Sequence, residues 1–210
     1  MAPRINVLAG VNGAGKSSVA GATLRSGGGF YYNPDEAARG LKLANPNLTQ
    51  IQANSAAWHR GREMLERAIA QRLDFTFETT LGASTIPKLL IDAARQGIEV
   101  HVWYTGLTTP ELHIARVRAR VARGGHAIPE DDIRRRFEHS RLNLIQMLPV
   151  LAVLRVYDNS FEADPAAGKT PAPALVLHME RGRILNPQDL PHVPGWAKPI
   201  AAAAMKIGLD

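Results

Sequence analysis

Residues Gly10–Ser17 read GVNGAGKS and match the pattern G-x-x-x-x-G-K-[ST] without a gap. The apolar residues Ile5, Val7 and Leu8 just before them predict a short buried strand. Residues 18–24 after them predict a helix that ends at the three glycines 27–29. A strand, a glycine-rich turn and a helix in this order are typical of a phosphate-binding loop.

The residue types in this stretch suit the binding of an anion. Glycines let successive backbone N–H groups turn inward, and the following helix directs its positive end to the same point. Lys16 adds a charge toward the outer phosphates, and the Ser17 hydroxyl can ligate Mg²⁺. The predicted nucleotide-binding residues are Gly10, Asn12, Gly13, Ala14, Gly15, Lys16, Ser17 and Ser18. The alternative is a glycine-rich turn without a ligand, which the matching flanks disfavour.

Length and composition indicate one globular domain over residues 1–210. The chain has 210 residues with 45% apolar content, enough for a substantial core. It contains no cysteine, which excludes disulfides and thiolate metal sites. No apolar run reaches the length of a membrane span, and the N-terminus lacks a signal-peptide pattern. We therefore expect a cytoplasmic protein.

The net charge of +6 favours anionic partners, either nucleic acid or a nucleotide. The basic residues are concentrated between Arg116 and Arg141, where Phe137 is the only aromatic residue. Surfaces that bind single-stranded nucleic acid usually alternate stacking rings with basic groups. Nucleic acid is therefore the less favoured partner.

Strands and helices alternate along the chain, which predicts an α/β domain with a mostly parallel sheet. One predicted helix is capped by Asn33, begins near Pro34 and ends near Leu41. A longer one can be capped by Thr49 and extends to about Arg72. Ile51, Trp58, Leu65 and Ile69 are expected to form the buried stripe of the longer helix. After residue 173, two short strands at 175–177 and 184–185 predict an antiparallel edge, and a terminal helix ends near residue 207.

Three carboxylates follow predicted strands: Asp35, Glu78 and Asp158. Because ligands bind beyond the carboxyl ends of parallel strands, these residues and the phosphate-binding loop are expected to share one site. Asp35 is the candidate general base, although it could merely favour its helix N-terminus. Glu78 could orient an acceptor or hold a Mg²⁺-bound water, or it could be an edge glutamate paired with arginine. Asp158 is expected to form a turn with Asn159, although it could instead help to bind the nucleotide.

Arginines follow in a predicted lid of about residues 110–148. Arg116, Arg120 and Arg123 share one helix face, and Arg134, Arg135 and Arg136 come after a glycine loop that contains His126. One or two of these arginines are expected to contact a transferring phosphate. His126 is expected to be a hydrogen-bonding residue.

This ordered set of motifs resembles the zeta-toxin family of P-loop kinases. The matching segments are GVNGAGKSS, NPDE with Asp35, FETTLGAST with Glu78, RVRARVARGGHAIPEDDIRRRF and YDNS, over about residues 4–160. The resemblance implies a kinase-like sheet with strand order 2-3-1-4-5. It also implies ATP-dependent phosphorylation of a sugar hydroxyl of UDP-N-acetylglucosamine, and it raises the possibility of an antitoxin protein as a partner.

The resemblance also assigns roles to residues. Lys16 and Ser17 would hold phosphates and Mg²⁺, Asp35 would be the base, Glu78 would place the acceptor, and Arg120 would be the first lid arginine. Where the toxins have a second lid arginine, this chain has His126, so that role passes to His126, Arg134 or Arg136. The predicted function is thus an ATP-dependent kinase for a sugar nucleotide. The alternatives are a kinase for another hydroxyl, on an antibiotic, a metabolite or a nucleic-acid end, and an ATP-binding interaction protein with little transfer activity.

Overall fold

A seven-stranded sheet organises the computed structural model, which describes residues 2–16, 31–161, 173–187 and 190–207. The strands β1 to β7 are Arg4–Ala9, Tyr31–Tyr32, Phe75–Thr79, Glu99–Gly106, Val153–Asp158, Ala174–Glu180 and Arg183–Asn186. They lie in the order β2-β3-β1-β4-β5-β6-β7, in which β1 to β5 pair in parallel and β6 and β7 are antiparallel. The α/β class and the strand order 2-3-1-4-5 are confirmed, and the two antiparallel strands extend that sheet.

Six α-helices connect or flank these strands in the described part of the chain. Helices α1 to α6 are Pro34–Ala44, Gln50–Ala70, Thr85–Arg95, Pro110–Val121, Glu130–Met147 and Lys198–Ile207. Asn33 caps α1 by accepting the N–H groups of Asp35 and Glu36, and Thr49 and Gln52 form a capping box on α2. The helix predicted at 18–24 lies outside the described residues, as do Ser17 and Ser18.

The main core lies against one face of the sheet. Alternate residues such as Val102 and Tyr104 of β4 are buried there, and α3, α5 and α6 cover them. The C-terminal segment is anchored at the end of β4, where the Trp196 ring packs on Gly106. A Cβ at position 106 would lie only 2.3 Å from that ring. This contact requires glycine and fixes the last helix to the strand that ends beside the phosphate-binding loop.

The buried stripe of α2 differs from the predicted one. Leu65 is buried as expected, but Ile51 is 81% exposed and Trp58 is 36% exposed. Small residues of α2 are buried instead: Ala53, Ala57, Gly61 and Ala68. They allow α1 and the Tyr32 ring to approach closely, since a Cβ on Gly61 would lie 2.6 Å from that ring. The prediction assumed that the large apolar residues of this helix are buried, whereas its close packing buries small residues.

No helix in the described ranges combines the length and the apolar character that crossing a bilayer requires.

Candidate functional site

Positive backbone angles shape the loop that follows β1. The φ angles of Gly10, Gly13 and Gly15 are 141°, 84° and 84°, which side-chain-bearing residues rarely adopt. Gly10 also lies against β4, because a Cβ there would approach the Thr105 carbonyl oxygen to 2.2 Å. Two independent constraints, conformation and space, therefore require glycine at this position.

Side chains from distant parts of the chain hold this loop in place. The His113 ring donates from Nδ1 to the Asn12 carbonyl oxygen at 2.9 Å, since a carbonyl can only accept. Asn159 donates from Nδ2 to the Ala14 carbonyl oxygen, also at 2.9 Å. Lys16 Nζ donates to the Gly10 carbonyl oxygen at 2.9 Å. No local sequence pattern singles out His113, and the pattern around Asn159 predicts only a turn.

His113 is buried at 1% exposure on α4, behind the loop. Its Nε2 has no hydrogen-bond partner among the described residues. Burial lowers the pKa of His113 to about 4, against a smaller opposing effect of the hydrogen bond to Asn12. The ring is therefore neutral near pH 7 and acts as a fixed donor to the loop.

Two cavities meet at the loop. The larger cavity, of about 1220 Å³, is bounded by the loop and by α4, with Gly13, Gly15, Arg116, Arg120 and Arg123 in its wall. The smaller cavity, of about 340 Å³, lies between α1, α2, the segment after β3 and α5. The residues that line both cavities are Asn12, Lys16, Asn33, Asp35, Glu78 and His126. We call these six residues the junction.

Burial and nearby carboxylates have opposite effects on the pKa of Lys16 at the junction. Burial lowers the pKa of its ammonium group, while the nearby Glu78 and, to a lesser extent, Asp35 raise it. The same carboxylates therefore help to keep the ammonium charged. A cation held in this way can bind an anionic ligand at the boundary between the two cavities.

Asp35 lies at the start of α1 with its carboxylate half-exposed at the junction. Its own N–H is bonded to Asn33 Oδ1 at 2.9 Å, so Asn33 supplies the side-chain cap of the helix. The carboxylate faces two lid residues: Oδ2 is 3.6 Å from Arg120 Nη1, and Oδ1 is 3.8 Å from His126 Nε2. It is available for chemistry in the space between the cavities.

Glu78 is 6% exposed near the end of β3. Because β3 lies between β2 and β1, Glu78 is not on an edge strand. It accepts a hydrogen bond from the Tyr31 hydroxyl. The register explains this contact: Tyr31 pairs with Thr76, so its side chain lies on the same face as Glu78, two residues further along. Tyr31 is a second site residue that no local sequence pattern singles out.

The arginines of the predicted lid divide into two groups. Arg118, Arg134 and Arg135 pair on the exposed surface with Glu130, Glu111 and Asp132, respectively. Arg120 and Arg136 instead point inward, and Arg116 and Arg123 line the larger cavity.

The two inward-facing candidates lie on opposite sides of the junction. Arg120 lines the larger cavity, and its Nη2 donates to the His126 carbonyl oxygen at 3.2 Å. Arg136 lines the smaller cavity and donates from Nη1 to Asn12 Oδ1 at 2.8 Å. Burial lowers the pKa of Arg136, and Asp132 opposes that effect. Of the three candidates for the second lid role, Arg134 is directed to the surface, whereas Arg136 and His126 reach the site.

His126 is mostly buried, and its imidazole faces Asp35 across the junction. Burial lowers its pKa, whereas the Asp35 charge raises it. The ring is therefore neutral at pH 7 and can offer a hydrogen bond rather than a full charge.

Asp158 forms the turn that the sequence predicts. Its Oδ1 accepts the Ser160 N–H at 3.0 Å, and Asp158 is 3% exposed. It is thereby occupied in supporting the segment that carries Asn159 to the loop.

Two carboxylates at the junction, those of Asp35 and Glu78, could contact a metal ion. No cluster of three or more His, Asp or Glu residues that could hold a metal is found in the described ranges. Magnesium in such sites takes one or two protein ligands and completes its shell with phosphate oxygens and waters. Ser17, the predicted ligand, is outside the described residues, while Glu78 and Asp35 are at the junction.

Comparison with known proteins gives concordant results. A protein-family model described as zeta toxin matches residues 1–164. An uncharacterized protein of Haemophilus influenzae is 34% identical over 132 residues, which cover 61% of this chain and 88% of that protein.

Solved structures show a similar fold at low sequence identity. A chain of the AvrRxo1-ORF1:AvrRxo1-ORF2 complex with sulphate ions gives a TM-score of 0.68 at 15% identity, over 96% of this chain and 63% of that one. The same complex with ATP gives 0.67. A chain of the PezAT chromosomal toxin–antitoxin system of Streptococcus pneumoniae gives 0.51 at 18% identity, over 81% and 74% of the two chains.

This chain spans less than two thirds of the matched AvrRxo1 chain. The family match covers most of the present sequence, including every motif from the phosphate-binding loop to the YDNS segment. The chain therefore belongs to the zeta toxin family of P-loop kinases.

Proposed function

We propose that this protein transfers the γ-phosphoryl group of ATP to a hydroxyl of a small molecule. The observation that supports this most directly is the junction. It brings one ammonium group and two carboxylates to the boundary between a cavity lined by the glycine loop and a cavity lined by side chains of α1 and α2. A phosphoryl donor and an acceptor bound in the two cavities would face each other there.

The loop and Lys16 hold the phosphates of the donor in the larger cavity. The backbone N–H groups and the ammonium supply positive charge without the cost of reorganising water. Mg²⁺, bound with the phosphates and the Ser17 hydroxyl, would neutralise part of the charge on the β- and γ-phosphates. The ATP-containing structure of the similar AvrRxo1 complex supports this choice of donor.

Asp35 accepts the proton of the acceptor hydroxyl. As the hydroxyl oxygen bonds to the γ-phosphorus, the bond from that phosphorus to the β–γ bridging oxygen breaks and ADP leaves. Arg120 lies 3.6 Å from Asp35 and can turn to the γ-phosphate, where it balances the charge that develops. Glu78 and Arg136 position the acceptor from the side of the smaller cavity.

The acceptor is UDP-N-acetylglucosamine or a related sugar nucleotide. Family membership supports this choice. The wall of the smaller cavity contains polar residues, including Thr79, Thr80 and Asn54, which suit a molecule with many hydroxyl and phosphate oxygens. The alternative is that the protein phosphorylates another kind of acceptor. Assays with a panel of sugars, antibiotics and nucleic-acid ends would distinguish these acceptors.

We further propose that a second protein controls the activity. The similar structures come from the AvrRxo1-ORF1:AvrRxo1-ORF2 complex and from the PezAT toxin–antitoxin system. Induced expression should be toxic, and Lys16→Ala should relieve the toxicity.

The direct test is ³¹P-detected transfer from ATP to UDP-N-acetylglucosamine, combined with ATP titration by calorimetry. Wild type should convert the acceptor, and Lys16→Ala should weaken ATP binding by about 100-fold, because a desolvated cation–phosphate contact is lost. Lys88→Ala, which removes an exposed lysine of α3, is the matched control and should change neither readout. Tight ATP binding without transfer to any acceptor of the panel would contradict the proposal and favour an interaction protein.

A further inference from the structure

The chain makes a strained turn between β3 and α3. We call residues 79–83 the Leu81 turn, because the φ angle of Leu81 is 51°, in the left-handed region that residues with a side chain rarely adopt. The Leu81 side chain is buried at 1% exposure. Such a backbone conformation persists only where surrounding contacts hold it, and it often marks a segment with a function.

Local hydrogen bonds hold only part of the Leu81 turn. The Thr79 hydroxyl accepts the Leu81 N–H at 3.1 Å, and the Thr80 hydroxyl accepts the Gly82 N–H at 3.4 Å. These bonds satisfy two N–H groups of the turn. Its carbonyl groups need donors from another part of the chain.

Asn143 of α5 supplies that donor from outside the two cavities. Its Nδ2 donates to the Leu81 carbonyl oxygen at 2.6 Å and to the Ala83 carbonyl oxygen at 3.3 Å. Asn143 is 62 residues away from Leu81 in the sequence, and it is not among the residues that line either cavity. One amide group therefore bridges the turn across Gly82.

Gly82 gives the turn a second contact with α5. A Cβ on Gly82 would lie 2.6 Å from Arg136 Cγ, so the aliphatic stem of Arg136 packs directly on the backbone of the turn. Arg136 and Asn143 are seven residues apart, which is two helical turns, and they lie on one face of α5. This face of α5 therefore supports the Leu81 turn.

The Leu81 turn forms one wall of the smaller cavity, directly after Glu78. A different φ angle at Leu81 would redirect the peptide groups on both sides of it and change the shape of this wall. The phosphate-binding loop is held by other residues, His113 and Asn159. A change at Asn143 should therefore reach the smaller cavity through the turn and leave the loop in place.

We infer that Asn143 is a positioning residue for the acceptor. By holding the carbonyl groups of Leu81 and Ala83, its amide keeps the turn in the conformation that shapes the acceptor wall. The inference rests on the proposed function, because that function places the acceptor in the smaller cavity.

Steady-state kinetics with UDP-N-acetylglucosamine test this role in Asn143→Asp, Asn143→Ala and Asn143→Gln. Aspartate is close to asparagine in shape, but it offers no donor and its charge repels the two carbonyl oxygens. The KM for the acceptor should therefore rise about 10- to 100-fold in Asn143→Asp, with the Kd for ATP within about threefold of wild type. Asn143→Ala should also raise this KM, and Asn143→Gln, which keeps an amide donor, should recover part of the loss.

The matched control for these variants is Gln146→Ala. Gln146 is an exposed residue of α5, three positions after Asn143. Its variant should match wild type in the KM for the acceptor and in the Kd for ATP.

Hydrogen exchange tests the turn without ligand or turnover. The N–H groups of Leu81 and Gly82 should be protected in wild type, because both are bonded to threonine hydroxyls. Asn143→Ala should speed their exchange about 10-fold or more, while the amides of β4 exchange as in wild type. If wild type transfers no phosphate to any acceptor, the proposed function fails, and hydrogen exchange still decides whether Asn143 holds the turn.

Three results would overturn the inference. The first is an unchanged KM for the acceptor in both Asn143→Asp and Asn143→Ala. The second is unchanged exchange at Leu81 and Gly82 in Asn143→Ala. The third is an equal loss of ATP affinity and acceptor affinity together with faster exchange in β4, which would show that Asn143 supports the fold in general.

Discussion

The two cavities are built in different ways. The wall of the larger cavity includes a short loop whose glycines adopt backbone conformations that other residues rarely adopt, and arginines of α4 line the same cavity. The smaller cavity is lined by side chains from α1, α2, the segment after β3 and α5. The first construction suits a phosphate chain, which is the same in every nucleotide, and the second suits a ligand that must be distinguished from others.

This difference predicts separable effects of mutation. Changes in the loop should affect donor binding and the fold together, because the loop is packed on β4 and α4. Changes in the smaller cavity should affect the acceptor while ATP binding and stability stay close to wild type.

The largest effect is expected from Gly10→Ala. The added Cβ would lie 2.2 Å from the Thr105 carbonyl oxygen at a φ of 141°, so the strand or the loop must move. We expect ATP binding to be lost in calorimetry and the free energy of unfolding to fall by about 3 kcal/mol.

Gly40→Ala is the matched control for that change. Gly40 lies in α1 with open space around its Cβ position, so the substitution should raise the free energy of unfolding by about 0.5–1 kcal/mol in chemical denaturation. Wild-type ATP affinity in Gly10→Ala would show that the loop does not shape the larger cavity.

The sequence predicts the parts of the protein that depend on local patterns. The loop motif and the caps at Asn33 and Thr49 each involve only a few neighbouring residues. The alternation of strands and helices likewise follows from short local patterns. From these the α/β class follows, and the family resemblance supplies the order of the first five strands.

The remaining features depend on contacts between residues far apart in the chain. His113 supports a loop about 100 residues earlier, and Tyr31 reaches Glu78 across paired strands. Trp58 was expected in the core because it lies at helical spacing from Leu65, but the Ala53 and Ala57 surface was buried instead. Helical periodicity therefore predicts the buried face of a helix only when the hydrophobic residues on that face also have the size that close packing requires.

The next largest effect is expected from Arg136→Ala, which should impair use of the acceptor more than binding of ATP. Arg136 lines the smaller cavity only, and its guanidinium bonds to the Asn12 side chain. We expect kcat/KM for the acceptor to fall about 10- to 100-fold, with ATP affinity within about threefold of wild type. Arg135→Ala, which removes a surface partner of Asp132, should be nearly silent in the same steady-state assay. A greater loss for ATP than for acceptor would place Arg136 with the donor.

Lowering the pH should reduce the free energy of unfolding through the protonation of His113. Its pKa is about 4 in the folded protein and near 6.5 in an unfolded chain, so the unfolded state binds more protons between these values. The His113 contribution to stability is complete above pH 6.5 and decreases as the pH falls toward 4. By pH 5 the loss should be about 2 kcal/mol.

Denaturation of wild type and His113→Gln at pH 7 and pH 5 measures this effect. The glutamine amide can still donate to Asn12 but does not titrate. The free energy of unfolding should therefore fall by about 2 kcal/mol less in the variant over this range. Parallel losses in the two proteins would show that His113 is not responsible.

The smallest effect is expected from Tyr31→Phe. Without the hydroxyl, the Glu78 carboxylate loses a donor that fixes its orientation, and kcat/KM for the acceptor should fall about 5- to 10-fold. Tyr32→Phe removes a neighbouring hydroxyl that bonds to the Ala57 carbonyl oxygen at 2.6 Å. Although Tyr32 also lines the smaller cavity, its hydroxyl is bonded to Ala57, so Tyr32→Phe should cost about 1 kcal/mol in unfolding and alter acceptor kinetics less than Tyr31→Phe does. Equal kinetic losses in the two variants would indicate a general effect on β2.

The most direct test of the junction is the single-turnover rate of phosphoryl transfer in Asp35→Asn, with Asp92→Asn on the surface of α3 as the control. We expect a rate about 10²- to 10⁴-fold below wild type, with ATP and acceptor affinities within about threefold, because only the proton acceptor is removed. Transfer at the wild-type rate in Asp35→Asn would contradict it.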